Sequence, residues 1–314
     1  MKPPALPAGL SAAAREFYAQ DAFPLDAADP REPPGAQQLR RLADEAFAPL
    51  LEQLPARPQL QPAELAGRRG CWIEARRPDP SRPIMLYLHG GAYVLGSARL
   101  SAPITAAICR AAGFGAFSLD YRLAPEHPCP AAIDDAIAAY EALLARGWPP
   151  ERIVIAGDSA GGGLALALLV AAAERGLPRP AAAALISPWT DLAGRGDSRQ
   201  LLANWDPVFP NPVALDACAA AYAGGRALDD PMVSPLYAEL SGLPPLLIQA
   251  GSREILLSDS GRLALRAREA GDSVELEIWD GLFHCFQILP ALPEAAVATE
   301  RIGHFLATAS VSSN

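Results

Sequence analysis

Two hydrophobic rhythms divide the chain. Over its first sixty or so residues, apolar positions recur at spacings of three and four. They predict a short helix over 12–20 and a stronger one over 36–54. In the second, Leu39, Leu42, Ala43, Phe47 and Leu50 or Leu51 share one face. Proline-rich links, 23–34 and 55–62, bracket it. This stretch holds too few apolar residues to bury a core alone, so it reads as an appendage over 1–58 packed onto a body of 59–314. From about residue 70 short apolar runs alternate with helical segments. The runs are 71–75, 84–88, 114–119, 152–156, 181–186, 246–249 and 274–279. The helical segments are 103–112, 131–146, 162–175, 257–270 and 293–308. That alternation predicts an α/β fold, a mostly parallel sheet covered on both faces. The first strands join without helices and give it an antiparallel start. Between 190 and 230 the alternation lapses, which reads as an insertion after the strand 181–186 that joins the N-terminal helices as a lid.

Composition narrows the function more than the fold. Of 314 residues, 51% are hydrophobic and 19% charged, enough apolar matter for a large core and against a disordered chain. The formal charge of −9 repels a phosphate backbone, so nucleic acid is not an expected partner. Lys2 is the one lysine. A Ser–Lys dyad, a Schiff-base lysine and a P-loop lysine therefore have no candidate in the folded body. The four histidines, His89, His127, His284 and His304, lack zinc-site spacing, and no metal is expected. The five cysteines, Cys71, Cys109, Cys129, Cys218 and Cys285, are scattered and read as core residues or free thiols of a reducing compartment. The N-terminus has no signal-type apolar region, and the longest apolar run, 160–173, is 14 residues. That is too short for a bilayer, so a cytoplasmic protein without a membrane partner is expected.

The chemistry concentrates at strand ends. Gly157-Asp158-Ser159-Ala160-Gly161 is a G-x-S-x-G between an apolar strand and a long apolar helix. Such a turn strains the serine backbone and thrusts its oxygen out of the sheet edge, beside the positive end of a helix. Side chains at Gly157 or Gly161 would strike the neighbouring strand and helix. The second signal, His89-Gly90-Gly91-Ala92-Tyr93, also ends a strand. Gly90 permits the turn, and the amides of Gly91 and Ala92, with that of Ala160, are positioned to form an oxyanion hole. His89 reads as a buried brace. A serine needs a base, and the base an orienting acid. His284 follows the last strand, whereas His304 lies within the final helix and His127 in a proline-rich loop. Glu254 follows the strand 246–249, with Asp259 as the rival acid. Asp259 has an alternative role: with Ser258 it can cap the next helix. The order Ser, acid, His is that of an α/β-hydrolase. Asp120 to Glu126 reads as a charged network under the site, and Phe17, Tyr18, Trp205, Phe209, Tyr222 and Phe286 as acyl-pocket or core aromatics. Cys285, beside the base, is a candidate reactive thiol that ranks below Ser159.

With these residues the chain resembles the hormone-sensitive-lipase-like α/β-hydrolases, bacterial carboxylesterases in particular. The resemblance rests on the two glycine motifs, Asp120 to Pro128, Ser187-Pro188-Trp189, Asp230-Pro231, Ser234-Pro235, Gly242 to Pro245, and the surroundings of Glu254 and His284. Glu254-Ile255-Leu256-Leu257-Ser258-Asp259 resembles the monoterpene ε-lactone hydrolases of that group. Two positions depart from the family's pattern: Ala92 stands where a third oxyanion-loop glycine is usual, and Glu254 where the acid is usually Asp. The resemblance implies an eight-stranded α/β-hydrolase fold with a cap made of the N-terminal helices and the 190–230 insertion. It also implies a serine carboxylesterase for short-acyl esters or lactones, with catalytic Ser159, His284 and Glu254, oxyanion-loop residues Gly90, Gly91, Ala92 and Ala160, and no cofactor. A homodimer is compatible with this reading. The alternatives left open are a hydrolase-like ligand-binding receptor without catalysis and an acyltransferase on the same site.

Overall fold

The computed structural model describes residues 5–20, 24–52, 56–75, 77–209 and 212–311. Eight strands form one sheet among the described residues: β1 (Leu60–Leu65), β2 (Arg68–Ile73), β3 (Ile84–Leu88), β4 (Gly115–Leu119), β5 (Ile153–Asp158), β6 (Ala182–Ile186), β7 (Leu246–Gly251) and β8 (Val274–Trp279). Their order is β1-β2-β4-β3-β5-β6-β7-β8. The pairs β1–β2 and β2–β4 are antiparallel, and the other five are parallel. The expected α/β-hydrolase fold is thus present.

Strands β3 to β6 are buried at every position, as two covered faces require. One face packs on α3 (Ala102–Ala112) and α9 (Pro293–Val311), through Met85, Val154, Ala184, Ile108 and Ile302. The other packs on α4 (Ala131–Ala145), α5 (Ala160–Glu174) and α8 (Leu257–Glu269), through Leu86, Ile155, Leu185, Ile137, Leu164 and Leu263. Helix α5 is apolar all round and buried along most of its length, which is why its sequence shows no polar face. Helix α3 starts with Pro103 in its first turn and ends on Gly113 at φ 76°, the usual pairing of stop and start residues.

The N-terminal helices are α1 (Ala12–Phe17) and α2 (Pro33–Glu52); 53–55, where the expected second helix ended, lie outside the described residues. The 190–230 stretch carries α6 (Ser198–Leu201) and α7 (Val213–Ala223). One strand has no counterpart in the apolar pattern: residues 60–62, at the end of the proline-rich link, open β1. Pro62 sits there because β1 is the sheet's edge strand, where a missing N–H breaks no ladder bond with a further strand. Accordingly β2 begins at Arg68, three residues earlier than its apolar run indicated, because hairpin pairing and not hydrophobicity sets its start.

Candidate active site

Strand register brings the two glycine motifs together. Leu88 pairs with Gly157 across β3 and β5, so the loop that begins at His89 lies beside Ser159, where the sheet's connections diverge in opposite directions. Ser159 adopts φ 52° and ψ −121°, a costly conformation for a side chain with Cβ, and is held there from several directions. Its N–H donates to Ile186 O at 2.8 Å, and its C=O accepts from Gly163 N and Trp189 N at 3.0 and 2.9 Å. The turn closes only without a side chain at Gly161, where a Cβ would stand 2.0 Å from Leu88 O.

The oxyanion-type loop is braced from below. Asp158 Oδ1 accepts from Tyr87 Oη at 2.8 Å and from Gly90 N at 3.0 Å. Gly90's amide is therefore committed to the turn and is not free for a substrate oxygen, which limits its role to the one its lack of a side chain gives it. Gly91, at φ 117°, permits the turn that follows. Among the described residues, the amides of Gly91, Ala92 and Ala160 meet no acceptor. His89 is a buried brace: Nδ1 lies 2.8 Å from Gly90 O, and the ring stacks on Tyr121 at 4.2 Å. Burial holds its pKa below the ordinary value. Tyr121 Oη donates to His89 O, Asp120 accepts from Ala98 N, and Arg122 pairs with Asp135, which is the network expected under the site.

At the β7–β8 end, Gly251 pairs with Trp279, so the loops that follow run side by side. His284 Nε2 lies 2.9 Å from Ser159 Oγ. Its Nδ1 faces Glu254 Oε1 at 3.6 Å, and among the described residues neither atom has a hydrogen bond to any other group. Glu254 is fully buried; its Oε2 accepts from Ser187 Oγ and Gly251 N, each at 2.7 Å. Asp259 is elsewhere. Its Oδ2 accepts from Thr190 N and Asp191 N at 2.9 and 2.8 Å, and burial lifts its pKa to about 7. Nor do Ser258 and Asp259 cap α8: Leu256 stands at its N-cap, and Ser258 Oγ accepts from Ser198 N and donates to Asp197. His127 and His304 are exposed.

Burial works against the charged form of His284, but Cys285 and Glu254 outweigh it, and its pKa stands well above the ordinary 6.5. Burial pushes the Cys285 thiol up to about 11. The thiol is therefore neutral near pH 7, and the favour shown to imidazolium comes from neighbouring carboxyls, with Glu254 facing Nδ1 directly. Cys285 Sγ lies 3.3 Å from His284 Nε2, a second neighbour on the same ring nitrogen.

Two residues here have no role assigned from the sequence, although Ser187 belongs to one of the motifs that carry the family resemblance. Ser187 ties Glu254 to the base loop: its Oγ donates to Glu254 Oε2 and accepts from Cys285 N. Its position directly after β6, at a carboxyl strand end, was the available signal. Asp206 is buried, its pKa raised to about 6 by burial, and it accepts from Val208 N and Ile255 N. It fastens the 190–230 stretch to the Glu254 loop, a contact that sequence spacing does not reveal.

A cavity of about 160 Å³ opens over Ser159, lined by His89 to Ala92, Leu100, Ile104, His284 and Cys285, with Leu25, Phe47, Val208 and Phe209 from the N-terminal and 190–230 stretches. Of the six aromatics put forward, only Phe209 lines it; Phe47 was not among them. Phe17, Tyr18 and Phe286 pack with Phe283 behind the base loop. Tyr222 stacks on Tyr93, and Trp205 faces the Arg253 guanidinium.

A hydroxyl against an imidazole, a carboxylate beyond it and unclaimed amides nearby make a device for acyl transfer. Residues 85–288 match the model of a family described as alpha/beta hydrolase fold. An acetyl-hydrolase from Streptomyces hygroscopicus is 44% identical over 76% of this chain and 79% of its own. An esterase from Acinetobacter venetianus is 37% identical over 84% and 89%. The crystal structure of an esterase from the bacterial hormone-sensitive lipase family is 42% identical, with a TM-score of 0.83 and 95% of each chain covered. The chain belongs to the bacterial hormone-sensitive lipase family of α/β-hydrolases. As a member it is a carboxylesterase of the serine hydrolase type. No helix among the described residues is long and apolar enough to cross a membrane.

Proposed function

We propose that the enzyme hydrolyses small, short-acyl apolar esters or lactones through a Ser159–His284–Glu254 triad and an acyl-enzyme. Ser159 Oγ attacks the ester carbonyl as His284 Nε2 takes its proton. The imidazolium then protonates the departing alkoxide. Glu254 holds the proton on Nδ1, which keeps Nε2 free as the acceptor. The amides of Gly91, Ala92 and Ala160 bind the oxyanion; one such donor is commonly worth ~10²–10³ in rate. Water, activated by His284, releases the acyl group.

The observation that carries this reading is the 2.9 Å contact between Ser159 Oγ and His284 Nε2 at a strained strand–helix turn. A small apolar cavity supports short chains, and the sequence around Glu254 supports lactones as a second substrate form. The N-terminal helices and the 190–230 stretch act as the cap, since Leu25, Phe47, Val208 and Phe209 form the cavity's apolar side.

The test is Ser159→Ala with p-nitrophenyl butyrate and ε-caprolactone, together with a fluorophosphonate label. Turnover and labelling are both expected to vanish. Turnover near the wild-type level in the variant would sink the proposal.

A further inference from the structure

The substrate cavity shares a wall with a second hollow. This hollow lies between α3 and α9, holds about 340 Å³ and borders on Pro103, Ala107, Gln287, Ile288, Ala295 and Thr299. Pro103 and Ile288 line both spaces. The hollow exists because its helical walls carry short side chains in register. Pro103, Ala107 and Ala111 repeat every four residues on α3, opposite Ala295, Ala296 and Thr299 on α9. The two helices come together at Gly303, where a Cβ would stand 2.5 Å from that of Ala111.

We propose that Ile288, backed by Pro103, is the end stop of the substrate cavity and sets the length of the unbranched aliphatic chain it accepts. The proposal rests on the ester-hydrolase reading and deepens it. Ile288 ends the 3₁₀ turn Phe286–Ile288, four residues after His284, so the stop is fixed in place relative to the base. Behind it the hollow is mainly apolar, with Gln287 Oε1 unpartnered among the described residues and Glu300 at its border. Trimming the stop lets a longer chain run on between the helices. Each methylene removed from water is worth about fourfold in binding.

The experiment uses the full chain with Ile288→Ala and two ester series. In p-nitrophenyl esters the acyl chain grows from acetate to decanoate; in alkyl acetates the alcohol grows from ethyl to octyl. The readout is the ratio of kcat/KM for an eight-carbon chain to that for a four-carbon chain. It is expected to rise about tenfold or more in one series, and that series identifies the acyl or the alkoxy chain as the one at the stop. The double variant Ile288→Ala/Ala107→Phe refills the hollow and is expected to restore the wild-type ratio. An unchanged ratio in both series, while Ser159 still takes a fluorophosphonate label, overturns the end stop; so does a long-chain gain that survives the double variant. Should Ile288→Ala not accumulate, Ile288→Val and Ile288→Phe replace it, with the ratio rising for Val and falling for Phe. No such ordering would equally overturn the proposal. Turnover that persists in Ser159→Ala strikes the ester-hydrolase reading itself, which keeps the two failures apart.

Discussion

The site has two halves, and they are held in different ways. The half on β3 and β5 sits in the middle of the sheet. Its loops are shaped by backbone: strand register puts Leu88 beside Gly157, and a missing Cβ at Gly161 lets Leu88 O approach. The half on β7 and β8 reaches the sheet's edge, where β8 is only partly buried. Its loops are held by side chains. Ser187 and the Gly251 amide clasp Glu254, and Asp206 fastens the following Ile255. On the outer side, α1 covers the base loop, with Phe17 stacked on Phe283 at 4.3 Å and Tyr18 Oη donating to Gly281 O at 2.8 Å. The comparison teaches that Ser159 and the amides of Gly91, Ala92 and Ala160 are placed by backbone contacts, while Glu254 and His284 depend on a shell of separable side-chain contacts. Central variants should fail all at once, and edge variants by degrees.

The largest effect belongs to the centre. Gly161→Ala forces the elbow and the oxyanion loop apart, since the new Cβ falls 2.0 Å from Leu88 O and 2.4 Å from His89 O. A misplacement of about 1 Å near the reacting atoms costs ~10² in rate, so a larger loss, or failure to fold, is expected. Steady-state kinetics with circular dichroism checks it. A folded variant with near-normal kcat/KM would break the claim that backbone contact locks this half.

Next comes Glu254, the acid of the proposed triad. Glu254→Gln leaves the fold's hydrogen bonds mostly in place but removes the charge facing His284 Nδ1. A loss of ~10²–10⁴ in kcat is expected, against less than about tenfold for Asp259→Asn, whose amide oxygen can still accept from Thr190 and Asp191. The pH profile sharpens the contrast. In the proposed mechanism His284 must be neutral to accept a proton, and the facing Glu254 carboxylate favours its charged form, so wild-type kcat/KM should fall as the pH drops and the ring takes up a proton. Without the Glu254 carboxylate, burial dominates and that fall should move to lower pH. A limb that stays in place in Glu254→Gln, or a greater loss in Asp259→Asn, would transfer the acid's role.

These contrasts also explain what was legible in the sequence. Motifs dictated by backbone collision, such as Gly157 to Gly161, are readable because only glycine fits, and the strand before and helix after give the context. The parallel sheet was readable because β3 to β6 are buried throughout and almost wholly apolar, Ser118 and Asp158 apart. Strand β1 was not: as an edge strand it has little apolar signal, with one fully buried residue, Leu65, at its end. The roles of Ser187 and Asp206 were not readable for a related reason. Each works by reaching a partner far along the chain, 67 residues for Ser187 to Glu254 and 49 for Asp206 to Ile255. Local pattern carries no trace of such a partner. The aromatics show the converse limit, since composition marks a residue as fit for a pocket without saying which side of the base loop it packs on.

Ser187→Ala should be intermediate. It takes one of the two donors from Glu254 Oε2 and leaves Cys285 N without its acceptor. A buried group left unsatisfied costs ~1–3 kcal/mol, which thermal or denaturant unfolding would report. A fall of about tenfold in kcat/KM is expected as Glu254 loosens, consistent with a factor of ten for each ~1.4 kcal/mol. Wild-type activity with only the stability loss would make Ser187 a fold residue and nothing more.

The smallest effect separates the halves most cleanly. Tyr18→Phe removes one hydrogen bond, from the α1 region to Gly281 at the start of the base loop, and leaves the ring's edge contact with Phe283. Such a bond is worth ~0.5–1.5 kcal/mol, too little to unfold the protein. If the edge half is assembled from separable contacts, this loss should stay local. Amide hydrogen exchange should quicken over 281–286 and remain unchanged over 157–163, with kcat/KM lowered about threefold because the base samples its position less often. Phe17→Ala, which removes the ring stacked on Phe283 instead, should widen the same difference without spreading it to the elbow. Equal loosening of both segments would mean that one cooperative unit holds the whole site, and the division between a backbone-locked centre and a side-chain-held edge would fall.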